Sequence, residues 1–530
     1  IVLVDEAHAA RRSNATQGTE AHPEYVELYK NIRDFVRPST RSLWLATATP
    51  MQLHPVEVCD LIALTNRVGP FQYSPRLTLD YYDRLSALVK GETLSESDWT
   101  FLRYSVRSAK EYDLFLWEYL HRGIIPRTFQ RILEDWMERG RIPRGRDMDM
   151  LRRVLFSVAP LSRVMMRHNR QLLEIYREKG QLHQNLARRH ILPIEAIQFT
   201  DREREIYNRL DEYCNGLNKQ IAAGANARSR NMIQFYLSFL RLRFASSLFA
   251  IKKTLERRLI RVEATLAHQY GGAHKQREHE EYLDLYSWEN DDSEDDIDVD
   301  TLLKDRRPED LEWERKQLQD LLNNLAQINE RPSKINRLLK ILDRRKVNGR
   351  IKQTVIFTRF YDTLLDIVHH LRTGNPTMRI GTYSGRGAEF YDVQLGTMRE
   401  IDREEVKALF LRGDIDVLVC TDAAAEGLNL QTADMLINFD LGWNPMKIEQ
   451  RIGRIDRIGQ RYRDIFVVNF CYVGSAEETV YGRLLERIEQ ARLVVGTQLL
   501  SLLPVTPDDF RRLAERTISK AELEAQVMER

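Results

Sequence analysis

The 530-residue chain contains only four cysteines, Cys59, Cys214, Cys420 and Cys471, set far apart and without a CxxC pair. That scarcity argues against a disulfide framework or a cysteine zinc site, and it makes a reducing compartment the default expectation. No apolar run reaches the roughly 18–20 residues that a membrane-spanning helix needs. No secretory signal opens the chain, so a cytoplasmic protein without a membrane partner is expected. No internal repeat is visible. Net charge is only +2. The first residue is Ile rather than Met, which raises the expectation of a piece of a longer chain.

The composition supports folded domains. Hydrophobic residues make up 43% and charged residues 30%, enough for sizeable cores under an ionic surface. As a prior, the length suits about three domains of roughly 100–200 residues each. Charge is unevenly spread. Residues 289–300, ENDDSEDDIDVD, hold eight acids and no base, leaving the rest of the chain at +10. Mild basicity is compatible with a nucleic-acid partner. An ordinary soluble protein with an acidic loop has the same balance.

Three textures follow one another. IVLV at residues 1–4 is a short apolar run that reads as a buried parallel strand, and Leu43–Ala46 reads as a second one stopped by Pro50. Residues 56–345 look mostly helical, with apolar residues at three- and four-residue spacing. A solvated, acidic break is expected near 271–308. From Gln353 strands and helices alternate, which predicts a parallel sheet with helices on both faces. Residues 476–530 read as helix again. The expected map is therefore 1–55 as part of a first α/β lobe, 56–345 as a helical insertion, 346–475 as a second α/β lobe and 476–530 as a helical extension.

The residues able to do chemistry sit at strand ends. In a parallel sheet, ligands bind beyond the carboxyl ends of the strands. Asp5 and Glu6 follow the first strand. One acid there can hold a magnesium ion, and the next can orient and deprotonate a water. A solvated acidic turn would look the same. LATATP (45–50) places hydroxyl residues at the next strand end. QRIGRIDRIGQ (450–460) places arginines at 451, 454 and 457, three apart on a helix. A guanidinium fork suits a phosphoryl group in transfer. TDAAAEGLNLQ (421–431) follows an apolar strand, with Gly427 and Asn429 in a tight loop. Thr358 and Arg359 end the strand VIFT and could contact a phosphate backbone. TYSGRG (382–387) ends the next strand in a similar way. Trp443, in DLGWNP, could stack on nucleic acid or simply pack.

Taken together these residues resemble the superfamily-two helicases. DEAH (5–8) matches motif II, TATP motif III, VIFTRF motif IV, TDAAAEGLNLQ motif V and QRIGRIDRIGQ motif VI. DLGWNP and the RIGQ ending narrow the resemblance to Swi/Snf-type ATPases, and most of all to the bacterial RapA-like group. TATPMQLHPVEVCDLIAL, VMMRHNRQLL with Arg167 and Arg170, and LRLRFASSLFAIKKTLERRL (240–259) are similar to that group's helical region. The resemblance implies two RecA-like lobes, the first incomplete, separated by a long helical insertion. It implies ATP and Mg2+ as cofactors and double-stranded DNA as partner. Asp5 would be the metal-ATP ligand and Glu6 the water activator. His8 would sense nucleotide across the cleft. Arg454 and Arg457 would be arginine fingers, and Gly427, Asn429 and Gln450 would line the nucleotide. Thr358, Arg359, Thr421 and Trp443 would face nucleic acid. A bacterial cytoplasmic or nucleoid location and RNA polymerase as a further partner are also in keeping with the group.

One departure is large. No G-x-x-x-x-G-K-[ST] run occurs in the 530 residues, and that loop supplies the amides and lysine that cradle phosphates. The expectation is therefore an ATP-driven DNA translocase represented here without its phosphate loop and inactive alone. The alternatives are a non-catalytic clamp for nucleic acid or RNA polymerase, and an RNA helicase.

Overall fold

The computed structural model describes residues 1–15, 18–19, 22–47, 56–123, 125–166, 170–222, 227–269, 306–422, 428–442 and 445–482. Several expected features lie outside them: Ala48–Pro50 of TATP, Arg167, Gly427, Trp443, most of the acidic run and most of the C-terminal extension. Two compact units form, a first built on Ile1–His183 and a second built mainly on Gln184–Trp443 and Ile448–Leu485.

In the first unit, strands β1 (Val2–Val4) and β2 (Leu43–Leu45) pair in parallel, with Val2 opposite Leu43 and Val4 opposite Leu45. The parallel pairing agrees with the sequence reading, but burial does not. Side chains alternate across a strand, and one face of this pair stays open, with Leu3 67% and Trp44 50% exposed. The other face leans on a small core of Ala10, Tyr29, Ile32 and Leu64. An apolar cleft of about 500 Å3, lined in part by Leu3, Trp44, Leu61 and Leu161, runs along the open face.

Helix α1 (Val56–Thr65) is buried almost all round, including two of its acids. Those acids are neutralised from the segment after the first strand. Arg12 grips the Asp60 carboxylate with Nε at 3.0 Å and Nη2 at 2.6 Å, and Arg11 pairs with Glu57. The helices that follow are α2 (Pro75–Lys90), α3 (Glu96–Tyr112), α4 (Leu114–Gly123), α5 (Arg127–Arg139), α6 (Arg146–Ser157) and α7 (Arg170–Glu178). Their limits follow local chemistry. Ser95 and Asp98 form a reciprocal capping box at the start of α3.

The second unit joins a helical bundle to an α/β lobe. Helices α8 (Asp201–Ala222), α9 (Ala227–Ser246), α10 (Leu248–Gln269) and α11 (Pro308–Ala326) share one core, including Leu210, Tyr213, Tyr236, Phe244, Leu255 and Leu318. Gly216 lets two of them approach closely. A Cβ there would stand 2.5 Å from the Trp313 ring, so a larger residue would push the helices apart. A buried carboxylate crosses this core. Glu314 accepts from Arg258 Nε (2.7 Å) and Tyr213 Oη (2.9 Å), and it also pairs with Arg306.

The lobe carries a nine-stranded sheet. Its strands are β3 (Arg188–Ile191), β4 (Glu195–Ile197), β7 (Thr354–Thr358), β8 (Ile380–Ser384), β9 (Gly387–Asp392), β10 (Thr397–Ile401), β11 (Val417–Thr421), β12 (Met435–Asn438) and β13 (Asp464–Tyr472). A separate hairpin, β5 (Lys346–Val347) and β6 (Arg350–Ile351), lies between β4 and β7 in the chain. The sheet order is β10-β9-β8-β11-β7-β12-β13-β3, with β4 pairing farther along β13. All central pairings are parallel, and the only antiparallel pairings among the described strands of this sheet are β8–β9 and β9–β10. Strands β7, β8, β11 and β12 are buried at every position, as a sheet covered on both faces requires. Helices α12 (Ser333–Arg344), α13 (Tyr361–Gly374), α14 (Arg403–Arg412) and α15 (Pro445–Ile455) complete the lobe.

The α/β class and the parallel sheet are as the sequence predicts. Two features are additions. Residues 188–197, inside the region read as mostly helical, supply β3 and β4. Beyond TYSG the chain turns straight back as the β9–β10 hairpin. No described helix is long and apolar enough to cross a membrane.

The buried triad generates a stability prediction. Burial alone pushes the Glu314 pKa up, but Arg258 and Arg306 outweigh it and hold the carboxyl below its ordinary 4.5. Its stabilising contribution is therefore present above pH 4.5 and is lost as pH falls below that value. Glu314→Gln should cost about 3–5 kcal/mol at neutral pH, because two buried arginines lose their counter-charge. The variant should also show a smaller further loss under acid. Urea denaturation at neutral and acid pH measures both effects.

Candidate nucleotide and nucleic-acid site

In the first unit the acidic box forms a tight local cluster. The chain leaves β1, and Ala46 N–H bonds the Val4 carbonyl while Ala7 N–H bonds the Ala46 carbonyl. This crossing holds residues 5–8 against the end of β2. Asp5 is exposed, and its Oδ1 accepts from the Glu6 amide at 2.9 Å. Glu6 has φ +47° and ψ +43°, a left-handed conformation uncommon for a residue with a side chain. Such strain costs on the order of 1–3 kcal/mol and collects at functional sites. His8 lies in the short turn Ala7–Ala9, with Nδ1 3.1 Å from Glu6 Oε2 and 3.2 Å from Thr47 Oγ1. Motif II and the first threonine of motif III are thus joined through one imidazole. Exposed carboxylate oxygens suit magnesium, a hard cation that prefers oxygen ligands and keeps part of its water shell.

In the second unit the motifs meet at the sheet's switch point. From β7 the chain crosses to β8 and returns to β11 on one side, then passes to β12 on the other. The carboxyl ends of β11, β7 and β12 are neighbours there, which is where a doubly wound sheet binds ligands. Thr421, Thr358 and Asp440 stand at these ends.

The three arginines of QRIGRIDR do different jobs. Arg451 is buried. Its guanidinium clasps Asp422 with Nε and with Nη2 at 2.7 Å, and Nη1 reaches Asn438 Oδ1 (3.0 Å) and the Asp440 carbonyl (2.9 Å). It ties α15 to the ends of β11 and β12. Arg454, also buried, lends its backbone carbonyl to Leu430 N–H at 2.9 Å. Arg457 is half-buried, its Nε donates to the Gly453 carbonyl at 2.9 Å, and no acid pairs with it among the described residues. Burial lowers its pKa, yet a guanidinium stays charged at neutral pH. Arg457 thus keeps a positive charge available for an anionic ligand.

The RIGQ ending is locked in place. Gln460 Nε2 donates to the Ala433 and Ile455 carbonyls at 3.0 and 2.7 Å, and the Gly459 amide bonds the Asn185 carbonyl. Arg189 on β3 clamps α15 from the other side, through Glu449 (2.9 Å) and Asp456 (2.8 Å).

The other expected residues fall out unevenly. Gln450 is half-buried, next to Arg451 on α15. Asn429 Nδ2 donates to the Gln431 side chain at 2.6 Å, and Gln431 in turn donates to the Ile458 and Gly459 carbonyls. This bond ties Asn429 to the motif VI loop. Thr358 and Thr421, expected to face nucleic acid, are both fully buried. Thr358 donates to Asp440 Oδ2 at 2.6 Å, while the Thr421 hydroxyl is buried and meets no hydrogen-bond partner among the described residues. Burial at a strand end removes both hydroxyls from solvent, which corrects that placement. Arg359 keeps a half-buried guanidinium beside Gly442 and over the Phe360 ring. Its amide donates to Asp440 Oδ1 at 2.8 Å.

The sequence reading missed Arg451, Asp422, Asn438 and Asp440 as the frame of this site. Equal spacing of the three arginines hid their inequality, because spacing cannot show which one meets a buried carboxylate.

The comparisons with known proteins agree with this arrangement. Residues 333–459 match the helicase conserved C-terminal domain. The chain is 45% identical over 101 residues to the uncharacterized ATP-dependent helicase YqhH of Bacillus subtilis, covering 19% of this chain and 18% of that protein. It is 49% identical over 84 residues to the RNA polymerase-associated protein RapA of Vibrio cholerae, covering 16% of this chain and 8% of that one. The matched stretches thus span well under two thirds of either relative. The C-terminal part of the Fun30 ATPase domain superposes with a TM-score of 0.33 at 16% identity, over 65% of this chain and 99% of that one. That likeness is too weak to bear on function.

The arginine assignments predict unequal stability effects. Arg451→Ala should destabilise the second unit by about 3–5 kcal/mol, since it removes a buried guanidinium that bonds Asp422, Asn438 and the Asp440 carbonyl. Arg457→Ala, which breaks no ion pair, should stay within about 1 kcal/mol of the parent. Chemical denaturation of the two variants side by side tests this. The chain thus carries a helicase conserved C-terminal domain over residues 333–459 and is similar, over short stretches, to helicase-like relatives that include RapA proteins.

Proposed function

We propose that the whole protein is an ATP-dependent translocase on double-stranded DNA. The observation that carries this reading is the inequality of the three arginines. One is consumed in holding the fold, while Arg457 keeps a charge that no acid of the described residues neutralises. A purely structural helix would have little use for that charge.

In this reading Asp5 holds magnesium-bound ATP, and the ion supplies electrophilic stabilisation to the phosphates. Glu6 orients the attacking water and takes its proton. Arg454 and Arg457 stabilise negative charge on a phosphoryl group in transfer. His8, bonded to Thr47 and 3.1 Å from Glu6 Oε2, keeps the base oriented. Arg359, at the end of β7 and in no ion pair among the described residues, contacts a DNA phosphate. The 530 residues contain no G-x-x-x-x-G-K-[ST] run, and we propose that they do not turn over ATP by themselves. Relatives such as the Vibrio cholerae protein carry the name RNA polymerase-associated, which makes RNA polymerase the first protein partner to test.

The whole protein is expected to show ATP turnover stimulated by duplex DNA. Glu6→Gln should abolish turnover while sparing nucleotide binding, because the base is lost and Asp5 remains. Unchanged turnover in that variant, measured by phosphate release, would remove Glu6 from the mechanism.

DNA affinity should fall steeply with salt, since each neutralised phosphate releases counterions. Arg359→Ala should reduce the slope of log affinity against log salt by about 1. A flat salt response in binding assays would point to a protein partner instead.

A further inference from the structure

The helical bundle is keyed into the motif IV loop at a single elbow, the break between α9 and α10. Four side chains of this elbow reach the start of α13 or the end of β12. Arg243 pairs with Asp362 and donates to Thr254 Oγ1 at 3.0 Å. Arg257 lies 3.3 Å from Asp362. Ser247 caps α10 through the Ala250 amide and donates to Asp366 Oδ2 at 2.7 Å. Ser246 behaves differently from the other three. Its hydroxyl lies 2.7 Å from Asp440 Oδ2 and 2.8 Å from Thr363 Oγ1.

Proton bookkeeping orders this chain. A hydroxyl donates once, and a carboxylate only accepts. Ser246 must therefore donate to Asp440 and accept from Thr363. Asp440 then receives three bonds: Ser246 and Thr358 at Oδ2, and the Arg359 amide at Oδ1. Ser246, Thr358, Thr363 and Asp440 are all buried, so water cannot replace a missing donor without opening the elbow.

We infer that Ser246 is a positioning residue that couples the helical region to the loop Thr358–Phe360 at the end of β7. It acts through Asp440, which fixes the backbone that carries Arg359. A shift of the α9–α10 elbow is thereby passed to Arg359, and the reverse holds. This inference rests on the DNA-translocase reading for its consequence in turnover, but its structural half stands apart from that reading.

Ser247 supplies the control. It is one residue away, similarly buried and bonded at the same distance, yet its acceptor sits within α13 and not at the strand ends. In the whole protein, Ser246→Ala is expected to lower DNA-stimulated ATP turnover about tenfold, with turnover in the absence of DNA and KM for ATP within about twofold. It should also speed hydrogen exchange at the Arg359 amide about tenfold. Ser247→Ala should do neither. Equal effects in the two variants, or an unmoved Arg359 amide in Ser246→Ala, would overturn the coupling role. If Ser246→Ala does not fold, Thr363→Val removes the hydroxyl behind Ser246 at nearly constant shape and decides by the same readouts. A parent protein without any DNA-stimulated turnover would sink the translocase reading alone, and the exchange comparison would still decide the role of Ser246.

Discussion

Arg451 makes the second unit's strand ends into a site. Its planar guanidinium, sealed from water, has to satisfy its donors inside the protein, and the partners that do so come from different elements. Asp422 follows β11, Asn438 ends β12 and the Asp440 carbonyl lies just beyond. A buried ion pair of this kind adds little net stability over an apolar contact, but losing either partner is costly. The pairing therefore selects one arrangement of α15 against the sheet. Arg454, one turn farther along α15, and Arg457, just beyond the end of that helix, inherit their positions from it.

Asp440 extends that frame in the other direction. Its backbone carbonyl serves Arg451, while its carboxylate gathers Ser246, Thr358 and the Arg359 amide. One residue thus joins three parts of the unit: the motif VI helix, the end of β7 and the helical elbow. The bundle behind the elbow is stiffened by its own buried charge, Glu314 between Arg258 and Arg306. Burial acts on these charges unequally. Arg243, fully enclosed near a second arginine, is pushed down to about 10 even with Asp362 beside it, which weakens its charged form, whereas Glu314 is lowered by its two arginines, which strengthens its charged form. Helical and sheet layers are consequently linked by hydrogen-bonded charge as well as by apolar packing.

The first unit shows a different economy. Its two short strands bury one face only, and much of its stability comes from helices and from the pairs that Arg11 and Arg12 make with α1. Against that background the left-handed backbone at Glu6 is notable. A glutamate gains nothing locally from φ +47°, so the crossing hydrogen bonds around Val4, Ala7 and Ala46 must hold it there. The result presents two carboxylates in succession at one strand end, with His8 reading the second.

The sequence by itself determined the alternation of β and α from Gln353, the parallel sheet and the order of the motifs, because hydrophobic periodicity and strand-end chemistry are local. It also located the acids at 5–6 and the arginines at 451–457. It could not rank those arginines, and it exposed Thr358 and Thr421 where the structure buries them. Nor could it show that Ser246 meets Asp440, 194 residues away. These are decisions of tertiary structure. Which polar group is buried, and which carboxylate meets it, depends on elements brought together across the sheet, and no spacing along the chain encodes that distance.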